Sequence, residues 1–371
     1  MELIKVATKI HKYQEFNDFA TQFDIGERDL ILTHGFLYEP FMKPLNLDAR
    51  FIMQETYGSG EPSDEMMNAI LADAKGQPYD RIFAIGGGTV LDIAKVLVLK
   101  DLEDVVHAFE KTMPLIKEKE LIAVPTTCGT GSEVTNITIA EIKSKQTKMG
   151  LAVDELLPDH AVLIPNLLKG LPYKFYVYSS IDALIHAIES YVSPKANDYT
   201  RLFSLKAIET IIDIYLNIID KGEEYRFERL EDMAVASNYA GIAFGNAGVG
   251  AVHALSYPLG GKYHVPHGEA NYQFFTEVFK LYTSKNPEGA IKEVNERLAS
   301  LLDTTPDNVY EQVEQLLGQL LSKNKLSSYG MTAEEKELFT DSVIEGQGRL
   351  LANNYVPLTR DEILGVYSNL F

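Results

Sequence analysis

The stretch Arg81-Ile82-Phe83-Ala84-Ile85-Gly86-Gly87-Gly88-Thr89-Val90-Leu91-Asp92-Ile93-Ala94-Lys95 decides the fold. It opens with an apolar run of strand length, turns through three glycines, and continues with apolar residues at helical spacing. Glycines allow a tight turn and bring backbone amides close to an anion at the start of a helix. Thr89 and Asp92, three residues apart, resemble a capping pair. The spacing is not G-x-G-x-x-G, and a tight βα connection with no ligand would read much the same. A second segment of similar character, Val124-Pro125-Thr126-Thr127-Cys128-Gly129-Thr130-Gly131-Ser132-Glu133, also follows an apolar run. Its small hydroxyl side chains suit a ribose or a pyrophosphate.

Outward from these turns, apolar runs at residues 30–33, 82–85, 121–124 and 161–164 alternate with helix-like stretches. That alternation predicts a parallel sheet wrapped by helices, an α/β domain over residues 1–178. From Ser179 onward the strand signal disappears, and residues 199–219 and 230–244 carry apolar side chains at three- and four-residue spacing. An all-α domain over residues 179–371 is expected.

The 371 residues are 46% hydrophobic, enough to bury a substantial core. Acidic residues outnumber basic ones 53 to 34, for a net charge of −19, which argues against a nucleic-acid partner. No apolar run is long enough to cross a bilayer, so a cytoplasmic protein without a membrane partner is expected. The single cysteine, Cys128, excludes an intramolecular disulfide and any site built from several thiolates.

In the second half, Ile181-Asp182-Ala183-Leu184-Ile185-His186-Ala187-Ile188-Glu189 has a helical pattern, with Asp182 and His186 one turn apart on one face. Such a pair can share a metal ion or form a simple ion pair. His253 and His267 add two imidazoles, the second in Pro266-His267-Gly268-Glu269-Ala270-Asn271, which is expected to open a helix. Each histidine alone could be an ordinary core residue. One carboxylate and three imidazoles together suit iron(II) or zinc and leave a position open for a substrate oxygen. Glu189, one turn beyond His186, is placed to support a ligand from behind.

With these motifs the chain resembles the iron-containing (group III) alcohol dehydrogenase family. The likeness runs through G-G-G-[ST]-x-x-D-x-A-K at Gly86 to Lys95, P-T-T-x-G-T-G-S-E at Pro125 to Glu133, D-A-L-x-H-A-x-E at Asp182 to Glu189, and the fourteen-residue step from His253 to His267. It spans nearly the whole chain. The resemblance implies the dehydroquinate synthase-like fold, with a Rossmann-like dinucleotide-binding domain at residues 1–178 and a helical metal domain after it, and hydride transfer between NAD and a metal-bound alcohol or aldehyde, with iron, or else zinc, held by Asp182, His186, His253 and His267. It places Gly86, Gly87, Gly88 and Thr89 at the pyrophosphate, and Asp92, Thr126, Thr127, Thr130, Thr135 and Lys148 around the rest of the dinucleotide. It also implies a homodimer or larger homo-oligomer. Within the family the chain is most similar to members that interconvert 4-hydroxybutyrate and succinic semialdehyde.

Four departures from the family pattern stand out. His34 occupies the place where many members carry an aspartate for the adenosine ribose, which leaves NAD against NADP open. Tyr257 replaces a histidine often assigned to proton relay, so Tyr257, His264 or the nicotinamide ribose are the relay candidates. Lys262 and His264 put two basic residues just before His267, and either is a candidate for binding a substrate carboxylate. Ile164-Pro165 stands in place of the usual D-P, a packing change. Other readings are a zinc-dependent polyol dehydrogenase, a sugar-phosphate cyclase on the same scaffold, and a catalytically silent nucleotide-binding protein.

Overall fold

The computed structural model describes residues 2–145 and 147–371. It divides into an α/β unit, Val6–Leu171, and a helical unit, Pro172–Phe371, to which residues 2–5 also belong. The boundary expected at residues 178 and 179 falls inside a helix that begins at Tyr173.

In the α/β unit the strands are β1 (Lys9–Lys12), β2 (Asp29–Thr33), β3 (Arg50–Met53), β4 (Arg81–Gly86), β5 (Glu120–Pro125), β6 (Ile137–Ile142), β7 (Thr147–Ala152) and β8 (His160–Leu163). Six of them form one parallel sheet in the order β1-β8-β5-β4-β2-β3, while β6 and β7 pair as an antiparallel hairpin. The helices are α1 (Phe16–Gln22), α2 (Gly35–Leu37), α3 (Asp64–Ala74), α4 (Gly88–Leu97) and α5 (Val105–Phe109).

Side chains alternate across a strand, and both faces of this sheet are covered. Leu30, Leu32, Ile82, Ala84, Leu121 and Ala123 join a core that includes Met67, Ile70, Val90 and Ala94 from α3 and α4. The intervening Ile31, Phe83, Ile85, Ile122 and Val124 join a second core with Phe16 and Phe19 of α1. Each such fully buried aliphatic side chain contributes about 2 kcal/mol. The four expected strands are present as β2, β4, β5 and β8. The edge strand β1 gave no apolar signal because Lys9, His11 and Lys12 interrupt it, as suits a strand with one unpaired side, whereas β3 opens on Arg50 and carries a short apolar run, Phe51 to Met53, that the reading passed over.

The parallel register sets Gly86 of β4 beside Pro125 of β5, so the glycine turn and the threonine-rich turn emerge side by side. Fully buried Lys95 on α4 pins the second turn from beneath, its Nζ donating to Ser132 Oγ and the Ile137 carbonyl, both at 2.6 Å, and to Thr135 Oγ1 at 3.1 Å. One turn earlier, Asp92 accepts from Ser132 Oγ at 2.6 Å and from the Ile139 amide at 3.0 Å. Burial pushes the Lys95 ammonium down to about 8, with Asp92 and Glu133 opposing that fall.

The helical unit contains α6 (Tyr173–Val192), α7 (Asp198–Lys221), α8 (Leu230–Ala247), α9 (Ala251–Tyr263), α10 (His267–Lys285), α11 (Ala290–Leu301), α12 (Val309–Leu320), α13 (Glu335–Gly346), α14 (Gly348–Leu351) and α15 (Arg360–Leu370). Nearly every residue of α6 from Tyr176 onward is buried, the mark of a central helix, and α7, α8 and α10 pack around it. A capping box between Asn197 and Thr200 starts α7. No helix among the described residues is long and apolar enough to cross a membrane.

Replacing Lys95 with Met removes three hydrogen bonds inside the core and leaves Asp92 and Glu133 without their cation. A loss of about 3 kcal/mol in the stability of the α/β unit is expected, read from urea denaturation.

Candidate metal centre and dinucleotide cradle

The helical pattern around Asp182 is realised in α6, which presents Asp182 and His186 on one face. His253 comes from the first turn of α9 and His267 is the first residue of α10. One donor atom from each of the four lies within 4.8 Å of the others. The Asp182 oxygens stand 3.8 Å from His253 Nε2, 3.9 Å from His267 Nε2 and 4.0 Å from His186 Nδ1. These separations are too long for hydrogen bonds, yet short enough for donors that each approach one cation to about 2.1 Å.

Glu189, on the same helix, holds the site from behind. Its Oε2 is 2.6 Å from His253 Nδ1 and its Oε1 accepts the Val252 amide at 2.8 Å. A carboxylate accepts, so Nδ1 carries the imidazole proton and Nε2 keeps its lone pair facing the cluster. His253 Nε2 is buried and has no hydrogen-bond partner among the described residues. Leaving a buried polar atom unsatisfied costs about 1–3 kcal/mol, which a bound cation would offset. This orphaned nitrogen is the observation that fits a divalent ion to these residues.

Burial alone would raise the Asp182 carboxyl. The surrounding imidazoles and the Asn271 amide overcome that effect and hold it below its ordinary value. Asn271 Nδ2 donates to Asp182 Oδ1 at 2.7 Å and lies 3.1 Å from His267 Nε2, and its Oδ1 accepts from Ser256 Oγ at 2.5 Å. The sequence reading missed this amide. Its one signal was its place four residues after His267 on the same helix. Phe244 of α8 stacks on His186 with ring centroids 4.2 Å apart. Three of the four candidate ligands are buried, whereas the His267 side chain is 33% exposed, so the cluster is open on that side.

Gly268 explains the residue type after His267. A Cβ there would sit 2.5 Å from the Tyr178 carbonyl oxygen, so only glycine lets α10 reach α6 closely enough to bring His267 beside Asp182.

The flanking candidates separate. The Tyr257 ring lies 6.3 Å from that of His267. His264 is exposed and ends α9 in a left-handed conformation at φ 53°. Lys262 is exposed, and its ammonium is paired with Glu335 of α13. Tyr263 and the Thr332 amide also donate to Glu335, and together they hold its carboxyl down at about 2.

In the α/β unit, His34 follows β2, Gly86 to Thr89 end β4 and open α4, and Thr126, Thr127 and Thr130 follow β5, whereas Asp92 lies within α4, Thr135 precedes β6 and Lys148 is on β7. Gly87 caps α4, and Cβ atoms at residues 87 and 88 would come within 3.3 Å of Thr127 Cγ2 and 2.9 Å of Thr130 Cγ2. The two turns therefore form one surface. Thr126 donates its amide to the Gly86 carbonyl at 3.0 Å, and Thr89 Oγ1 donates to the Gly60 carbonyl at 3.0 Å. Asp92 and Thr135 bond to Ser132, Ile139 and Lys95. Lys148 is paired with Glu61, and His34 Nδ1 lies 3.2 Å from Glu55 Oε2 at the tip of β2.

Comparison with known proteins bears on both units. A family model described as iron-containing alcohol dehydrogenase matches residues 6–165, and one described as the C-terminal part of the Fe-containing alcohol dehydrogenase family matches residues 176–371. The 4-hydroxybutyrate dehydrogenase of Clostridium kluyveri is 56% identical over 371 residues, covering 100% of both chains. Long-chain-alcohol dehydrogenase 1 of Geobacillus thermodenitrificans is 31% identical over 353 residues, covering 90% of this chain and 86% of the relative. Among solved structures, a 1,3-propanediol oxidoreductase has a TM-score of 0.87 at 23% identity, covering 100% of both chains. A sulfoacetaldehyde reductase from Bifidobacterium kashiwanohense, solved with NAD+, has a TM-score of 0.85 at 21% identity, covering 99% of this chain and 98% of that one. At these identities the structural likeness is one of fold.

Two substitutions test the cluster by metal content and chelator competition. Glu189→Gln releases the tautomer of His253 and is expected to weaken divalent-ion affinity about 10- to 100-fold. Gly268→Ala, which adds one methyl group and changes no charge, is expected to weaken it through the displacement of α10.

Proposed function

Because the chain belongs to the iron-containing alcohol dehydrogenase family, we propose that it interconverts 4-hydroxybutyrate and succinic semialdehyde with NAD as the hydride carrier. The relative that is 56% identical over its full length supports the substrate. The orphaned His253 Nε2 inside a cluster of one carboxylate and three imidazoles carries the metal-dependent part of the reading.

In oxidation, the alcohol carbon loses a hydride to the nicotinamide and the hydroxyl loses a proton, giving aldehyde, NADH and H+. Asp182, His186, His253 and His267 would hold the ion, iron(II) by family or zinc by ligand chemistry. Such an ion supplies Lewis-acid polarisation of the substrate oxygen. Glu189 fixes the His253 tautomer, and Asn271 steadies the Asp182 carboxylate. Gly86, Gly87, Gly88 and Thr89, with Thr126, Thr127 and Thr130, offer amides and hydroxyls to the dinucleotide. His34 lies at the ribose end.

Tyr257, whose phenol ring neighbours the exposed edge of His267, is the residue proposed to pass the hydroxyl proton toward solvent. His264 is proposed to meet the substrate carboxylate, since Lys262 is held by Glu335.

A panel of aldehydes run anaerobically, after iron and then zinc are restored to stripped protein, tests the reading. Succinic semialdehyde should exceed butanal in kcat/KM by at least about tenfold with NADH. Tyr257→Phe should shift the pH profile of kcat, and His264→Ala should erode the preference over butanal. Equal turnover of the two aldehydes by the unaltered enzyme would sink the substrate assignment.

A further inference from the structure

Open α/β sheets discriminate NAD from NADP at the carboxyl end of the strand next to the phosphate-binding turn. A carboxylate there accepts from the ribose 2′-hydroxyl and repels a 2′-phosphate. In this chain the phosphate-type turn follows β4, and the neighbouring strand is β2. The residues that leave β2 are Thr33, His34 and Gly35, none of them acidic. By sequence the discriminating charge is missing.

In space it is present. β3 pairs with β2 in parallel register, Thr33 opposite Met53, so the turn Gln54–Tyr57 after β3 stands beside the residues leaving β2. Glu55 reaches across from that turn. Its Oε1 accepts the Gly35 amide at 2.7 Å, and its Oε2 lies 3.2 Å from His34 Nδ1. A Cβ at residue 35 would stand 2.9 Å from Oε1, so the carboxylate would have to shift to admit one. The His34 ring is held in turn by Phe36, stacked on it with centroids 5.2 Å apart and planes 15° from parallel.

The Glu55 side chain remains 46% exposed, so the carboxylate is pinned and still faces solvent. Burial raises its carboxyl, but the Gly35 amide and His34 outweigh that and keep it ionised at neutral pH. The connection that follows returns to the glycine turn, where Gly60 accepts from Thr89 Oγ1. Glu55 therefore belongs to the same rim of the α/β unit as the dinucleotide cradle.

We propose that Glu55, delivered by the neighbouring strand β3, replaces the missing aspartate at the end of β2 and makes the site select NAD over NADP. The inference rests on the dehydrogenase reading above. Glu55 accepts from the ribose 2′-hydroxyl, and its charge, set beside His34, offsets the attraction that imidazole would offer to a 2′-phosphate.

The test is isothermal titration of the metal-loaded full chain with NADH and with NADPH, followed by kcat/KM with each. Wild type should bind NADH more tightly. Glu55→Gln keeps the shape and an acceptor for the Gly35 amide but removes the charge, and should lower the NADH-to-NADPH ratio by at least about tenfold, mainly through tighter NADPH binding. The double variant His34→Asp/Glu55→Gln returns a carboxylate to the end of β2 and should restore the preference, which a general loss of structure would not do. A ratio unchanged in Glu55→Gln, or a wild type that prefers NADPH, overturns the inference while leaving the dehydrogenase reading standing. A wild type that binds neither nucleotide overturns both.

Discussion

Glu189 is buried on α6 and accepts from two neighbouring groups of α9 at once, the Val252 amide and the His253 ring. A carboxylate so deep in the helical unit is tolerable only if its oxygens are occupied by donors. Both donors belong to the start of α9, so this one side chain sets where that helix begins and which nitrogen of His253 faces Asp182. The remaining parts of the cluster are arranged around that choice: His186 follows one turn after Asp182, Asn271 donates to Asp182, and Gly268 admits α10.

The α/β unit obeys a similar rule with the opposite charge. Lys95 lies inside the core because Ser132, Thr135 and the Ile137 carbonyl supply oxygens to its ammonium, and Asp92 engages the same segment one turn earlier. In each unit a charged group under the candidate site fixes the backbone above it. The residues expected to meet ligands are then free to be small, as Gly87, Gly88, Thr127 and Thr130 are.

What could be read in the sequence followed from local spacing. β2, β4, β5 and β8 announced themselves because both faces of a buried parallel strand are apolar. Asp182, His186 and Glu189 could be placed on one face because helical periodicity reaches that far. The edge strand β1 carries charges and gave no such pattern, and in β3 only Phe51 to Met53 are apolar. Lys262 looked available because Glu335 lies 73 residues away in the chain and only packing brings the two together. Glu55 was invisible for the same reason, since a strand register had to place it beside His34. Asn271 stood in a quoted motif, but nothing in helical spacing alone distinguishes an amide that supports a carboxylate from one that faces water.

The chain topology has a consequence for biosynthesis. The Leu3 carbonyl accepts from Asn197, and Lys5 exchanges hydrogen bonds with Asn246, so these residues, made ahead of β1, wait for partners made some 190 to 240 residues later. The α/β unit is a closed excursion between those two ends: its sheet is complete once β8 pairs with β1 and β5, before most of the helical unit exists. During synthesis the sheet of the α/β unit can therefore be completed before residues 3 and 5 meet their partners.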